Sequence, residues 1–226
     1  MGAPARGIPI ENAVKFGWET FKKNIQFILA VEAAALLAEG AVSLGTEWME
    51  RIGGFHEWAM GVAYFVVSMI IQMGAIKIAL KYRDGEKVEF ANMFDGFAIL
   101  PAFMAAAVLK TLAVGFGLMF LIVPGIVIAI RFWFFGYLVV DEERGPIEAI
   151  KRSITITEGV GVDLFLFGLL LIGINFLGLL AFGLGLFVSV PVTILATAYV
   201  YRYLNPRPVS APEEAPATSG PTSGPV

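Results

Sequence analysis

Long apolar runs alternate along this chain with short charged segments. Spanning a bilayer core as a helix takes about 20 apolar residues. Six runs fit that pattern, at residues 25–44, 57–80, 98–123, 125–140, 161–182 and 184–204, the fourth being the shortest. Helix is the only consistent reading, because lipid offers no partner for the open edge of a strand. Val123-Pro124-Gly125 joins the third and fourth runs, and Pro124 both ends one helix and suits the first turn of the next. Gly183 alone separates the fifth and sixth runs. Both joints predict tight hairpins.

Three segments between the runs carry a helical polarity stripe instead. Through 9–24 and on to the next residue, apolar Ile10, Val14, Trp18, Phe21 and Ile25 recur every three or four positions, with Glu11/Lys15 and Glu19/Lys23 as i,i+4 pairs. In 88–97, Phe90, Met93, Phe94 and Phe97 share a face, and after Pro146 so do Ile147, Ile150 and Ile154. Each segment precedes a pair of spans, and "PIENAVK" near the N-terminus echoes "PIEAIK" at 146–151. The predicted fold is all-α and integral to the membrane: six transmembrane helices as three hairpins, each preceded by a cytoplasmic interfacial amphipathic helix. The chain divides into an N-terminal segment (1–24), a six-helix domain (25–204) and a Pro-rich tail (205–226) expected to be disordered.

Composition agrees with this reading. Hydrophobic residues make up 58% of the 226, charged residues 15%, and mean hydropathy is +0.77, too apolar for a soluble domain of this size. With no cysteine and a single histidine, His56, there is no thiol chemistry and no multi-histidine metal centre. Residues 1–24 have no uninterrupted apolar core, so they do not read as a signal peptide. Twelve of the sixteen Lys and Arg fall on one side of the predicted spans (Arg6, Lys15, Lys22, Lys23, Lys81, Arg83, Lys87, Arg144, Lys151, Arg152, Arg202 and Arg207) and only Arg51 on the other. The positive-inside rule then places both termini in the cytoplasm. Aromatic residues near the span ends (Trp48 and Trp58 outside; Tyr82, Tyr201 and Tyr203 inside) suit the two interfaces. The expected partners are membrane lipids, with anionic headgroups at the cytoplasmic face; no nucleic acid and no cofactor are expected.

Around the fourth run the residues form a more specific pattern. Pro124 and Gly125 are followed by an apolar run containing Arg131, then Asp141, a Gly145-Pro146 turn, Ala149, Ser153 and a closing Gly159. This stretch resembles the signature of largely uncharacterised prokaryotic membrane families related to the membrane domain fused to some glycerophosphodiester phosphodiesterases. The match is specific over about 40 residues and extends loosely, through the six-span layout, over 10–204. The resemblance implies a multi-pass protein of a prokaryotic plasma membrane. In the fused proteins hydrolysis belongs to a separate soluble barrel, for which this chain has no room, so that activity does not carry over.

Glu32, Glu39, Lys110 and Arg131 lie well inside predicted spans, at depths of ~10, ~21, ~18 and ~14 Å from the cytoplasmic edge at 1.5 Å per residue. Gln72 lies at ~12 Å, and Lys77 is close enough to the edge to snorkel. Depth pairs Arg131 with Glu32, Gln72 being a third group, and Lys110 with Glu39. The set reads either as structural ion pairs holding the bundle or as a polar site or ion path between helices. Gly168, Gly173, Gly178 and Gly183 recur every five residues, a rotation that spreads them around the helix instead of forming one face. Asn175 and Pro191 suit a packed kink or a broken-helix site; His56 reads as a loop residue. No catalytic constellation is present. The function classes are a non-catalytic lipid-interacting scaffold, assembly or membrane-homeostasis module, or a small transporter or channel using the charged cluster; a lipid enzyme is the weakest.

Overall fold

The computed structural model describes residues 7–50, 55–94 and 96–207, with the side chains of 46–50 and 55–57 excepted. Arg6, Arg51, the side chains of Trp48 and His56, and the tail from 208 onward lie outside these. Nine α-helices and no strand are found among the described residues: α1 (Ile10–Lys23), α2 (Ile25–Glu50), α3 (Phe55–Asp84), α4 (Leu100–Phe120), α5 (Ile122–Arg131), α6 (Phe135–Glu142), α7 (Pro146–Ile156), α8 (Gly161–Leu180) and α9 (Leu186–Leu204). Six segments are long and apolar enough to cross a membrane. Five are α2, α3, α4, α8 and α9; the sixth is α5 and α6 together.

The α9 helix forms the spine. It is the most buried of the six segments and packs against α1, α3 and α8. Further contacts join α2 to α3, α4 to α5, and α6 to α7. Small residues make the closest approach. Gly17 of α1 lies so near the Val192 carbonyl of α9 that a Cβ there would sit 2.4 Å from its oxygen. Ala13, Gly17 and Phe21 are the buried face of α1, and the small Ala13 and Gly17 let the two helix backbones meet.

This face differs from the stripe expected from large apolar positions. Trp18 and Ile25 are exposed, while the smaller Ala13 and Gly17 are buried. The same inversion occurs in α7, where Ala149, Ser153 and Ile156 face the protein and Ile147 and Ile154 face out. Packing against a neighbouring helix selects for closeness, and a bulky side chain prevents it. Of the large apolar residues expected on these faces, Phe21 is buried, while Trp18, Ile25, Ile147 and Ile154 are left for whatever surrounds the bundle.

Two further expectations are corrected. The segment before the third span is not an amphipathic α-helix but two 3₁₀ turns, Phe90–Met93 and Phe97–Ile99. Met93 drops into the space above Gly74 of α3, while Phe90, Phe94 and Phe97 stack outward on one another. The fourth span is broken: Phe132, Trp133 and Phe134 form a turn between α5 and α6. Ser153 stabilises this break. Its hydroxyl donates to the Arg131 carbonyl at 2.7 Å and accepts from the Phe134 N–H at 3.2 Å. One side chain thus replaces helical bonds that the turn forfeits. Trp133 fits beside the break because α8 carries Gly168 there, where a Cβ would meet the indole at 2.6 Å.

Candidate functional site

Two polar centres stand out in the bundle, and they are built on opposite rules. The first joins the C-terminal ends of α3, α6 and α9. Arg202 of α9 is almost wholly buried and uses both forks of its guanidinium. Nε and Nη2 donate to Asp84 at 2.7 Å each, and Nη1 and Nη2 donate to Asp141 at 2.5 and 2.6 Å. Planar bidentate pairing of this kind is available to arginine and not to lysine. Arg207 adds bonds to Asp141 at 3.0 Å and Glu86 at 2.9 Å, and an ion pair to Asp84 at 3.2 Å. Burial alone lowers the Arg207 pKa; the hydrogen bond to Asp141 leads the effects that outweigh it, and the net shift is upward.

Neutral groups complete the network. The Tyr201 hydroxyl donates to Asp141 at 2.8 Å and accepts from Asn205 at 3.0 Å. Asn205 also donates to Glu142 at 2.7 Å and accepts from Arg152 of α7 at 2.9 Å. Glu142 in turn bonds Arg144. Two arginines and two aspartates balance in charge at its centre. Asn205 and Arg207, the first polar residues of the proline-rich segment, are therefore held against the bundle.

The second centre is a groove between α2, α3 and α9, with a volume of about 420 Å³. Its walls are apolar, with Val31, Ile78 and Leu195 buried and Leu36, Phe187 and Val190 exposed at the rim. Glu32 and Glu39 line it, and among the described residues no lysine, arginine or histidine does. Glu32 Oε2 is buried and accepts no hydrogen bond. Glu39 accepts one long bond, 3.4 Å, from Ser68.

The predicted intramembrane cluster is therefore divided. Glu32 and Glu39 share the groove, whereas Lys110 of α4 lies over the Phe135 ring at 5.1 Å. Arg131 is half-buried at the end of α5, which packs on α4 and α8, and Gln72 of α3 is exposed. Among the described residues, no ion pair joins Arg131 to Glu32 or Lys110 to Glu39. Equal depth was the warrant for pairing them, but depth does not say on which side of the bundle a residue stands. Of the other motif residues, Asp141 enters the arginine network and Ser153 the helix break. Gly145 caps α7 ahead of Pro146, Ala149 is buried, and Gly159 takes φ +80°. Pro124 falls in the first turn of α5, and Gly125 packs against Leu118 of α4. Asn175 bonds Thr193 of α9 at 3.4 Å, across an α9 that runs unbroken through Pro191. Gly178 faces Gly185, and Gly183 takes φ +76° in the turn between α8 and α9.

Sequence reasoning missed the network because it counted Arg202 and Arg207 only as flanking charges and passed over Asp84. A usable signal existed: Asp84, Asp141 and Arg202 each close an apolar run at the same end of the bundle. Among the described residues there is no group of His, Cys, Asp and Glu that could hold a metal ion. No protein-family model, curated protein or solved structure matches the chain.

Proposed function

We propose that this chain is a non-catalytic, multi-pass protein of a prokaryotic plasma membrane that holds an apolar or amphipathic molecule in the groove between α2, α3 and α9. In this reading the spans are three hairpins with both termini in the cytoplasm. The helices α1 and α7 lie at the cytoplasmic interface, small residues toward the protein and large apolar residues toward lipid. The Phe90, Phe94 and Phe97 patch anchors the middle unit at the same level. The observation that carries the proposal is the groove: about 420 Å³, apolar-walled, with an exposed hydrophobic rim. Pockets of this size and lining take small apolar ligands or acyl chains.

A phosphatidylcholine carrying a diazirine on its acyl chain tests it. Photolysis should label Leu36, Phe187 and Val190 above the other exposed faces of the bundle. Ala75→Phe, which fills the groove from α3, should remove that excess. Uniform labelling, unchanged by Ala75→Phe, would overturn the proposal. A transporter reading is favoured by one observation, the placement of two carboxylates in the same groove two helical turns apart.

A further inference from the structure

We infer that the groove is a site for a lipophilic organic cation: a quaternary ammonium or phosphonium centre wrapped in apolar groups, with Glu32 as its counter-charge. The inference rests on the groove reading above and specifies the occupant's chemistry.

Charge complementarity is the starting point. Among the described residues, the groove is lined by two carboxylates and no cationic side chain. Among the described residues neither carboxylate has an ion pair, and Glu32 Oε2 is buried without a hydrogen bond. The other centre shows what this chain does with acids it needs to neutralise internally: Asp84 and Asp141 each receive a fork of Arg202. Glu32 and Glu39 receive nothing comparable. An ionised carboxylate at this depth is costly unless a cation meets it, and in an apolar surround that attraction is strong.

The lining then selects the kind of cation. A divalent metal ion needs about six oxygen ligands, and apart from the two carboxylates the lining side chains offer only the Tyr82 hydroxyl. A primary ammonium carries three donors that each want an acceptor, and Glu32 and Glu39, ~10 Å apart along α2, are poorly placed to meet on one nitrogen. A quaternary centre has no donor to satisfy. It asks only for a nearby negative charge, apolar contact for its substituents and aromatic faces, which attract cations through the ring quadrupole. The groove supplies each: Glu32, a wall of Val31, Ile78 and Leu195, and the rings of Phe27, Tyr82 and Phe187. Its volume is within the range that holds a drug-sized molecule.

The test uses the full chain in phosphatidylcholine nanodiscs, with protein-free discs as the blank. Tetraphenylphosphonium is the probe, and tetraphenylborate is its counterpart of the same shape and opposite charge. Equilibrium dialysis should show one saturable phosphonium site, at least ~10-fold tighter than any borate site. Glu32→Gln should weaken phosphonium binding by ~10-fold or more, with thermal unfolding confirming that the variant is folded. Ala75→Phe, which keeps both carboxylates, should abolish phosphonium binding by occupying its space. Equal binding of the two ions, or a preference that survives in Glu32→Gln/Glu39→Gln, would overturn the cation assignment. Absence of phosphonium binding while acyl-chain labelling of the groove persists would do the same, leaving a plain hydrocarbon groove. Loss of both would remove the groove reading itself.

Discussion

The two aspartates at the centre of the Arg202 network and the two glutamates of the groove stand in one apolar bundle under different terms. Asp84 and Asp141 are joined to two arginines, a tyrosine and, through it, an asparagine. Their bonds link the ends of α3, α6 and α9 and the segment that follows α9. Glu32 and Glu39 line the groove, and among the described residues the one hydrogen bond to them is the long one that Ser68 donates to Glu39. Saturated bonding of charges is what a structural joint requires, since a half-satisfied buried network is worse than an apolar one. Leaving a carboxylate unbonded beside a cavity contributes nothing to the fold. The first centre ties helix ends together, whereas the second is the one that the proposal above gives to a ligand.

The sharpest break of the comparison is at Arg202. Replacing it with methionine keeps much of the volume and strands Asp84 and Asp141 with Arg207 as their remaining cationic partner. Losing one member of a buried charge network costs ~3–5 kcal/mol. Thermal unfolding in detergent, followed by tryptophan fluorescence, should show a larger loss than any substitution in α1, at the break between α5 and α6, or in the groove. Arg202→Lys should recover little, because a point charge cannot fill two forks. A variant as stable as the parent would reduce the network to decoration.

The α1 docking site comes next. Gly17→Leu places a side chain where even a Cβ meets the Val192 oxygen at 2.4 Å. Overpacking of this sort costs ~1–3 kcal/mol, and α1 has a cheaper way out: it can leave α9. Hydrogen exchange should rise across residues 10–23 while α8 stays protected. Ser153→Ala acts more locally. It leaves the Arg131 carbonyl and Phe134 N–H without their shared partner, at ~1–3 kcal/mol if both stay dry. Faster exchange at Phe134 checks it, and no change there would mean that the break satisfies itself.

These sites also mark how far the sequence could be read. All six segments were legible, because about twenty apolar residues have few alternatives. The break at Phe132–Phe134 was not, since its cause, Ser153, is a polar residue on another helix. The stripes of α1 and α7 were legible as helix but not in facing: periodicity finds the large apolar residues, whereas contact distance is set by Ala13, Gly17 and Ala149. At the candidate site, Glu32 and Glu39 were found together because two turns on one helix fix a common face. Their proposed partners lay on helices whose places around the bundle no one-dimensional pattern encodes. The true partner set at Arg202 was hidden because charge at a span end is the ordinary state.

The smallest effect expected is also the one that tests the contrast most directly. Glu32→Leu removes a carboxylate of which one oxygen is buried and unbonded, so no hydrogen bond to that oxygen is lost. It replaces a group that lipid and apolar walls solvate poorly with one they accept. If the groove is a site and not a joint, stability should be unchanged to within about 0.5 kcal/mol or slightly raised, as for substitutions away from any structural feature. The sign is opposite to that at Arg202, although both changes delete one ionisable side chain from the same bundle. Parallel unfolding curves for Arg202→Met and Glu32→Leu therefore decide the matter. A loss at Glu32 of similar size to that at Arg202 would show that Glu32 is structural, with a partner formed in the membrane, and the division into joint and site would fall.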